Sequence, residues 1–290
     1  MSYPYRSYAD LAASIMKNLD AIARHGFDLV VGVPRSGMIP AHMIALYLNV
    51  NCCSFPELRV NTVIEKCGRR TIINEVTYPQ DAKKILVVED SYGRGLALAT
   101  LISSLPGQIR EKCTVMAVYS AVEMLPPESP LDFFFEYIPK PRLFEWNIYH
   151  HILVRKSAFD IDGVLCVDPT REENDDGEKY LFFLENARPK IIPTLPIHTL
   201  VTSRLEKYRK PTEAWLARHG IAYQRLVMLD LPSKEERKRV NIYAAHKAEV
   251  YQSDELALFF ESSDWQAREI FELTGKPVFC VETNKLYGSN

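Results

Sequence analysis

Short apolar runs that alternate with stretches of helical length restrict the fold of this sequence more than any other feature. Apolar runs in the first half predict strands at 28–33, 52–58, 84–90, 114–120 and 132–138. Those in the second half predict strands at 156–162, 198–203, 225–230, 256–262 and 277–282. The intervening segments predict helices at 6–24, 38–48, 94–104, 176–187, 208–219, 234–252 and 264–274. Strands that alternate with helices favour parallel sheets covered on both faces, so the predicted fold class is α/β.

The length of 290 residues exceeds one ordinary hydrophobic core and suits two domains of about 150 residues each. No glycine- and serine-rich linker separates them, since the segment 138–156 is dense in aromatic residues and prolines. We place the boundary within this segment and predict domains at 1–152 and 153–290. Each is predicted to be a three-layer α/β domain with a parallel sheet.

Composition excludes several classes of function. The formal net charge of -2 gives no basis for binding nucleic acid. No apolar run is long enough for a membrane span or a signal peptide, so we expect no membrane insertion. The six cysteines form no CxxC pair, which argues against a zinc site and favours a reduced, cytoplasmic protein.

The loop after the first predicted strand, Pro34-Arg35-Ser36-Gly37, stands directly before a helix. Ligands of open parallel sheets collect beyond the carboxyl ends of the strands. A loop in that place points backbone N–H groups and the positive end of a helix at an anion, and Arg35 adds a guanidinium for phosphate oxygens. A plain strand–helix turn has the same pattern, so this loop alone leaves both interpretations open.

The third predicted strand ends in two adjacent acids, Glu89 and Asp90, and a glycine-rich turn follows. Adjacent carboxylates at a strand end suit two ribose hydroxyls, held directly or through a magnesium ion. Gly93 and Gly95 are free to adopt positive φ angles, so the amides of the turn from Ser91 to Ala97 can wrap a phosphate. A solvated strand end is the alternative for the acid pair alone.

Residues 28–43 and 84–100 resemble the pyrophosphate loop and the phosphoribosyl-pyrophosphate (PRPP) motif of type I phosphoribosyltransferases. The resemblance covers roughly residues 6 to 140 and implies Mg²⁺-dependent transfer of 5-phosphoribosyl from PRPP to an acceptor. It assigns the ribose hydroxyls to Glu89 and Asp90. It assigns the pyrophosphate to Arg35, Ser36 and Gly37, and the 5-phosphate to Ser91, Tyr92, Gly93, Arg94 and Gly95. The threonines usual in this turn of the family are absent, so the sequence supports phosphate binding by the turn better than it supports efficient catalysis.

The interval 59–82 corresponds to the mobile loop that closes over the pyrophosphate in this family. Its candidate cations are Lys66, Arg69 and Arg70. Dimers are usual in the family, so the resemblance implies a homodimer, although the residues themselves leave the oligomeric state open.

The segment 141–151 corresponds to the hood that selects the acceptor. Phe144 and Trp146 can stack on a ring there, and Glu145 can accept hydrogen bonds. A place for these aromatic residues in the hydrophobic core between the domains is an equal alternative. The acceptor therefore stays open between a nucleobase, a small-molecule amine and a sugar hydroxyl of a glycan.

A second strand-end motif, Phe159-Asp160-Ile161-Asp162-Gly163, begins the second half of the chain. Residues i and i+2 of a strand project from the same face, so the two carboxylates converge. One can attack phosphorus while the other protonates the leaving oxygen and later activates water. Later strand and helix ends offer the other parts of such a site: a hydroxyl at Thr202, an ammonium at Lys247, and carboxylates at Glu261 and Asp264.

These four elements resemble the motifs of haloacid-dehalogenase-like (HAD) phosphatases, across residues 156–283. The resemblance implies that Asp160 is the nucleophile and Asp162 the general acid/base. It also implies that Thr202 binds the phosphate and that Lys247, or else Lys234 or Lys238, is the motif lysine. The implied Mg²⁺ ligands are the Asp160 side chain, the Asp162 carbonyl, Glu261 and Asp264, with the choice between the last two left open. The interval 163–198 is too short for a large cap, so the site is expected to be open.

The order of the two sites suggests that the phosphatase removes the 5-phosphate from the ribosylated product. A regulatory alternative is a non-catalytic PRPP-binding domain that controls the phosphatase. A degenerate second domain and a purely structural chain are weaker alternatives, because each leaves a phosphate constellation unexplained.

Overall fold

A computed structural model of the protein describes residues 2–65, 71–72, 74–253 and 255–289. The chain divides into two compact units. The N-terminal unit is Arg6–Arg142, and the C-terminal unit is Leu143–Asn290 together with Met1–Tyr5. The predicted boundary at 152/153 falls inside the C-terminal unit. Leu143 and Ile148 are buried in the core of that unit, and the Leu143 N–H donates to the Pro4 carbonyl at 2.9 Å.

The N-terminal unit contains one five-stranded sheet. Its elements, which follow β1 (Tyr5–Arg6), are α1 (Tyr8–Ala23), β2 (Leu29–Gly32), α2 (Met38–Leu48), β3 (Asn51–Ser54), α3 (Phe55–Val60), β4 (Ile85–Tyr92), α4 (Leu96–Ser103), α5 (Gly107–Arg110), β5 (Cys113–Ser120) and β6 (Phe133–Tyr137). The strand order is β3-β2-β4-β5-β6, and every neighbouring pair is parallel. The carboxyl ends of β2 and β4, where the predicted phosphate loops begin, are therefore neighbours.

Helices cover both faces of this sheet. Leu98 and Ile102 of α4 belong to the same core as Val31 and Val87 on one face. On the other face Gly32 lies against α2, where a Cβ atom would come within 2.6 Å of the Met38 sulfur. Alternation of side chains along the strands thus gives the predicted three layers.

Local capping corrects one predicted strand in this unit. The strand predicted at 52–58 ends at Ser54, and α3 begins at the next residue. The Ser54 hydroxyl accepts the Glu57 N–H, while the Glu57 carboxylate accepts the Ser54 N–H at 2.6 Å. This capping box, with Pro56 in the first helical turn, starts a helix where the apolar pattern had predicted a strand.

The C-terminal unit contains one six-stranded sheet. The helices and strands of this unit are β7 (Leu143–Phe144), β8 (Ser157–Phe159), α6 (Glu178–Asn186), β9 (Ile197–Leu205), α7 (Arg209–Arg218), β10 (Tyr223–Leu229), α8 (Lys234–Val240), α9 (Tyr243–Ser253), β11 (Leu258–Glu261), α10 (Asp264–Thr274), β12 (Val278–Cys280) and β13 (Lys285–Tyr287). All of these strands except β7 belong to the sheet. The strand order is β10-β9-β8-β11-β12-β13, and only β13 is antiparallel to its neighbour. Strand β8, which leads into the two alternating acids, lies between β9 and β11.

Alternate residues of these strands face two separate helix layers. Phe159, Leu200 and Phe260 share a core with α6 and α7. Ala158, Val201 and Phe259 share the opposite core with α9 and α10. The predicted α/β class, with two three-layer parallel-sheet units, is therefore confirmed.

The helix predicted at 234–252 is two helices. Asn241 adopts a left-handed conformation with φ 51° and ends α8, and α9 begins two residues later. None of the helices that the structure describes is both long and apolar enough to cross a bilayer.

Candidate active sites

Three buried ionisable side chains meet where β8 and β11 of the C-terminal unit end. The Lys247 ammonium, on α9, donates to Asp160 Oδ2 at 2.6 Å and to Glu261 Oε2 at 2.6 Å. It also donates to the side-chain oxygen of Gln266 at 3.0 Å. Asp160 is 5% exposed, Lys247 1% and Glu261 0%. One buried lysine thus bridges the predicted nucleophile and the carboxylate at the end of the next strand.

The charges of this cluster depend on each other. Burial raises the pKa of Asp160 above its ordinary value, although Lys247 opposes the shift. Burial works against the charge of Lys247, but Asp160 and Glu261 more than compensate and raise its pKa. Lys247 therefore stays protonated at neutral pH, while Asp160 gives up its proton less readily than an exposed aspartate.

The carboxylate oxygens of this cluster are already occupied by hydrogen-bond donors. Glu261 Oε1 accepts the backbone N–H groups of Ser262 at 2.9 Å and Ser263 at 3.2 Å. Asp160 Oδ1 accepts the N–H of Ile161 at 2.7 Å, and the other oxygen of each acid binds Lys247. Within the described ranges no three or more His, Cys, Asp or Glu side chains are arranged to hold a metal ion. The arrangement holds an ammonium between the two acids, and the Mg²⁺ shell stays a prediction from the resemblance.

Asp264 lies outside the cluster. Its carboxylate accepts hydrogen bonds from the Tyr287 hydroxyl at 2.5 Å and the Thr283 hydroxyl at 3.3 Å. The Tyr287 hydrogen bond is the main reason why its pKa is lowered. As the first residue of α10, Asp264 is turned toward the β12–β13 hairpin, so the structure does not support its prediction as a metal ligand.

The second acid of the motif, Asp162, is held by an arginine that the sequence analysis did not assign. Arg204 Nη2 donates to Asp162 Oδ1 at 2.6 Å, and Arg204 Nε donates to Oδ2 at 3.1 Å. The Arg204 side chain is fully buried. Arg204 stands two residues after Thr202 on β9, and an arginine at a strand end beside a predicted site is the signal that could have identified it.

Thr202 completes the predicted set. It is buried on β9, and it lines a cavity of about 280 Å³ together with Asp160, Asp162 and Lys247. The four residues come from three separated segments of the chain and share one cavity. Lys234, one alternative motif lysine, does not line this cavity, whereas Lys238, the other, does.

Asp168 is a further acid at this cavity that the sequence analysis missed. Burial, followed by the charge of Asp162, raises the pKa of Asp168. Its Oδ2 lies 2.7 Å from the point where a Cβ on Gly163 would stand. Gly163 has a φ of 74°, so only glycine suits this turn both conformationally and sterically.

The two predicted loops of the N-terminal unit meet at the carboxyl ends of β2 and β4. The Ser36 hydroxyl donates to Asp90 Oδ1 at 2.9 Å, and the Val33 N–H donates to the Val88 carbonyl at 2.9 Å. A Cβ on Gly37 would lie 2.6 Å from the Val33 carbonyl oxygen and 2.7 Å from that of Val88. Glycine is therefore the residue that lets the first loop lie directly against the end of the neighbouring strand.

Glu89 and Asp90 form a coupled acid pair. Burial raises the pKa of Glu89 to about 9, and the hydrogen bond and charge of Asp90 add to the shift. The Asp90 N–H also donates to Glu89 Oε1 at 3.0 Å. At neutral pH Glu89 therefore keeps its proton, so its carboxyl group can donate a hydrogen bond to a ligand hydroxyl.

The glycine turn differs from its predicted form. Strand β4 continues through Ser91 and Tyr92, so these two residues belong to the strand and not to the turn. Gly95 has a φ of 74° and begins α4, and a Cβ there would collide with the Tyr92 ring at 2.5 Å. The Lys140 ammonium lies 2.9 Å from the Cβ position of Gly93, which adds a cation that the sequence analysis missed.

The remaining predicted residues divide into three groups. Arg35 and Arg94 are exposed beside the two loops. Phe144 is buried and stacked on Trp146, with ring centroids 4.7 Å apart, so one ring face of Phe144 is already covered. Lys66, Arg69 and Arg70 lie outside the described residues.

Comparison with known proteins gives no family. No family model and no curated protein matches the chain. A purine phosphoribosyltransferase from Pyrococcus horikoshii matches 50% of this chain and 94% of its own, at 17% identity and a TM-score of 0.36. A xanthine-guanine-hypoxanthine phosphoribosyltransferase from Helicobacter pylori matches 50% and 94%, at 18% identity and a TM-score of 0.37. A hypothetical protein from Neisseria gonorrhoeae with bound ppGpp matches 50% and 89%, at 13% identity and a TM-score of 0.34. At these TM-scores the likenesses assign neither fold nor function.

Proposed function

We propose that the chain is a bifunctional enzyme. Its N-terminal unit transfers 5-phosphoribosyl from PRPP to an acceptor, and its C-terminal unit hydrolyses a phosphomonoester through an aspartyl-phosphate. The observation that carries the proposal is the cavity lined by Asp160, Asp162, Thr202 and Lys247, with Lys247 bridging Asp160 and Glu261. A nucleophile, an acid/base, a hydroxyl and a fixed cation are the parts that phosphoryl transfer to a carboxylate requires.

In the phosphatase reaction an Asp160 carboxylate oxygen attacks phosphorus, and the bond from phosphorus to the ester oxygen breaks. The Thr202 hydroxyl binds the phosphoryl group, and the Lys247 ammonium balances the charge that gathers around it. Asp162, which is ion-paired with Arg204 in the free site, must first take up a proton, which it passes to the leaving oxygen, and it then takes one from the water that hydrolyses the aspartyl-phosphate. Arg204 donates to both oxygens of Asp162 and so keeps this carboxylate in one orientation.

In the transfer reaction the bond from ribose C1 to pyrophosphate breaks while the acceptor attacks C1. The 34–37 loop supplies backbone amides and the exposed guanidinium of Arg35 for the departing pyrophosphate. The protonated Glu89 carboxyl group can donate to one ribose hydroxyl, and the neighbouring Asp90 side chain can bind the other. Mg²⁺ that accompanies PRPP would bind its pyrophosphate oxygens, which are ligands of the type it prefers, and would neutralise departing charge.

Joined in sequence, the two reactions would install an unphosphorylated ribosyl group on the acceptor. The acceptor and a homodimeric state remain predictions from the resemblance, and the cytoplasmic location remains a prediction from the cysteine pattern. The scheme itself needs only that the product of the first site, a ribosyl 5-phosphate, fits the second.

The test is product release by the full chain incubated with PRPP, Mg²⁺ and a panel of nucleobases, amines and sugars. Wild type should release pyrophosphate and then inorganic phosphate. Asp160→Asn should keep the first release and lose the second, whereas Asp264→Asn should keep both, because Asp264 lies outside the cluster. Phosphate release that survives in Asp160→Asn would refute the phosphatase assignment.

A regulatory function of the N-terminal unit is the second candidate. The observations that favour it are the missing threonines and the placement of Ser91 and Tyr92 within β4, which shortens the phosphate turn. Under this alternative PRPP would change kcat/KM of the phosphatase without any release of pyrophosphate. Pyrophosphate release that depends on an acceptor would exclude it.

A further inference from the structure

Arg237, on α8, is a buried cation at the phosphatase cavity that the proposed reaction does not use. It is 8% exposed, and its Nη1 donates to the Ser203 carbonyl oxygen at 2.7 Å. Its guanidinium carbon lies 5.9 Å from the centre of the Tyr243 ring. Within the described part of the chain it forms no ion pair, and its buried Nε has no hydrogen-bond partner.

A guanidinium without a counter-anion is costly to bury, because desolvation is not offset by a nearby negative charge. Two other buried cations, Lys247 in the cavity and Arg204 beside Asp162, differ in this respect. Lys247 is paired with Asp160 and Glu261, and Arg204 is paired with Asp162. Among the described residues, Arg237 is thus the buried cation of this cavity that has no counter-anion.

Two neighbours in sequence or in space also line the cavity. The Ser203 hydroxyl oxygen is buried and also has no hydrogen-bond partner among the described residues. Lys238 follows Arg237, is exposed, and lines the cavity as well. A hydroxyl, a guanidinium and an ammonium that line one cavity are donors of the kind that bind carboxylate and phosphate oxygens.

We propose that Arg237, Ser203 and Lys238 form a second oxyanion subsite. The phosphatase substrate is then a phosphomonoester that carries another anionic group, a carboxylate or a second phosphate, besides the phosphate that is cleaved. The scissile phosphate lies at Asp160, where Thr202 and Lys247 serve it. This inference rests on the proposed phosphatase activity.

The test compares matched phosphomonoesters on the full chain by steady-state phosphate release. Glycerol 3-phosphate and 3-phosphoglycerate differ in a carboxylate, and fructose 6-phosphate and fructose 1,6-bisphosphate differ in a second phosphate. Hydrogen bonds to charged groups contribute about 1.5–3 kcal/mol, so we expect Arg237→Gln to lower kcat/KM about 10- to 100-fold for the substrate with the additional anion. The single-anion substrate of each pair should change less than about 3-fold by the same reasoning, and Arg237→Lys should restore part of the loss.

Arg239→Gln is the matched control, since Arg239 is on the same helix but exposed and paired with Glu236. It should change neither substrate class. Equal losses for both members of a pair, or no loss for either, would overturn the subsite. If Arg237→Gln unfolds, the affinity for fructose 1,6-bisphosphate is compared between Asp160→Asn and the double variant that also carries Arg237→Lys. Equal affinities of the two proteins would overturn the subsite. Wild type that cleaves none of the four esters would overturn the subsite, whereas the phosphatase itself is refuted only by the test with PRPP and acceptors described above.

Discussion

Replacement of Lys247 by methionine tests the ionic cluster of the C-terminal unit most directly. Methionine keeps much of the length of the lysine side chain and removes only the ammonium. Asp160 and Glu261 then lose their shared partner in a site where both are at most 5% exposed. Both carboxylates would remain buried, close to each other and without a cation.

Removal of one partner from a buried ion pair costs about 3–5 kcal/mol, because the charge left behind is desolvated and uncompensated. We expect Lys247→Met to lose about that much, which is a large part of the 5–15 kcal/mol typical of a domain. Asp160→Asn in the same background should return about half of the loss, since only one carboxylate would then lack a partner.

The loss should also depend on pH. Burial already raises the pKa of Asp160, and without Lys247 it rises further. A raised carboxyl pKa stabilises the folded state at low pH, and this stabilisation is lost as pH rises through the folded-state pKa. Lys247→Met should therefore recover stability as the pH is lowered from 7 to about 5, more than wild type does.

Tryptophan fluorescence during urea unfolding is a suitable assay, because Trp146, Trp215 and Trp265 all lie in the C-terminal unit. Lys179→Met is the control, since Lys179 is an exposed residue of α6 and should change stability by less than about 0.5 kcal/mol. A cost below about 1 kcal/mol for Lys247→Met, or no recovery with Asp160→Asn, would refute the uncompensated-charge argument.

Three further predictions concern other residues. Wild-type stability of the N-terminal unit should fall as pH rises from about 5 toward 9, because folded Glu89 holds its proton with a pKa of about 9. Glu89→Gln should remove this pH dependence, measured by hydrogen exchange of the β4 amides and corrected for intrinsic exchange rates. An unchanged pH dependence in Glu89→Gln would contradict the prediction. Gly37→Ala should cost about 1–3 kcal/mol in the same exchange assay and weaken PRPP binding measured by calorimetry, because its methyl would meet two carbonyl oxygens. Gly107→Ala, with nothing within 4 Å of its Cβ position, should be neutral, and equal effects would contradict the steric argument. Arg204→Lys should lower the phosphatase kcat more than about 10-fold and destabilise the C-terminal unit, since lysine cannot donate to both oxygens of Asp162. An unchanged kcat would show that Asp162 does not need Arg204 to position it.

Much of the C-terminal site could be predicted from the chain alone. Asp160, Thr202 and Lys247 stand at strand and helix ends that periodicity identifies, and parallel strands bring their carboxyl ends to one edge. The loops at Ser36 and Asp90 were predictable for the same reason, since β2 and β4 are neighbours in the sheet. Periodicity is a local property, so it reports where elements lie without any knowledge of packing.

Sequence by itself determined the α/β class, the two parallel sheets and the strand ends at which chemistry is placed. Tertiary structure alone decided the partners of the side chains there. Arg204 reaches Asp162 across 42 positions of sequence, Asp264 turns to Tyr287, and Arg237 is buried without a counter-charge. The physical reason is that partners depend on strand register, helix breaks such as the one at Asn241, and the rotamers that packing allows, none of which a periodic pattern encodes.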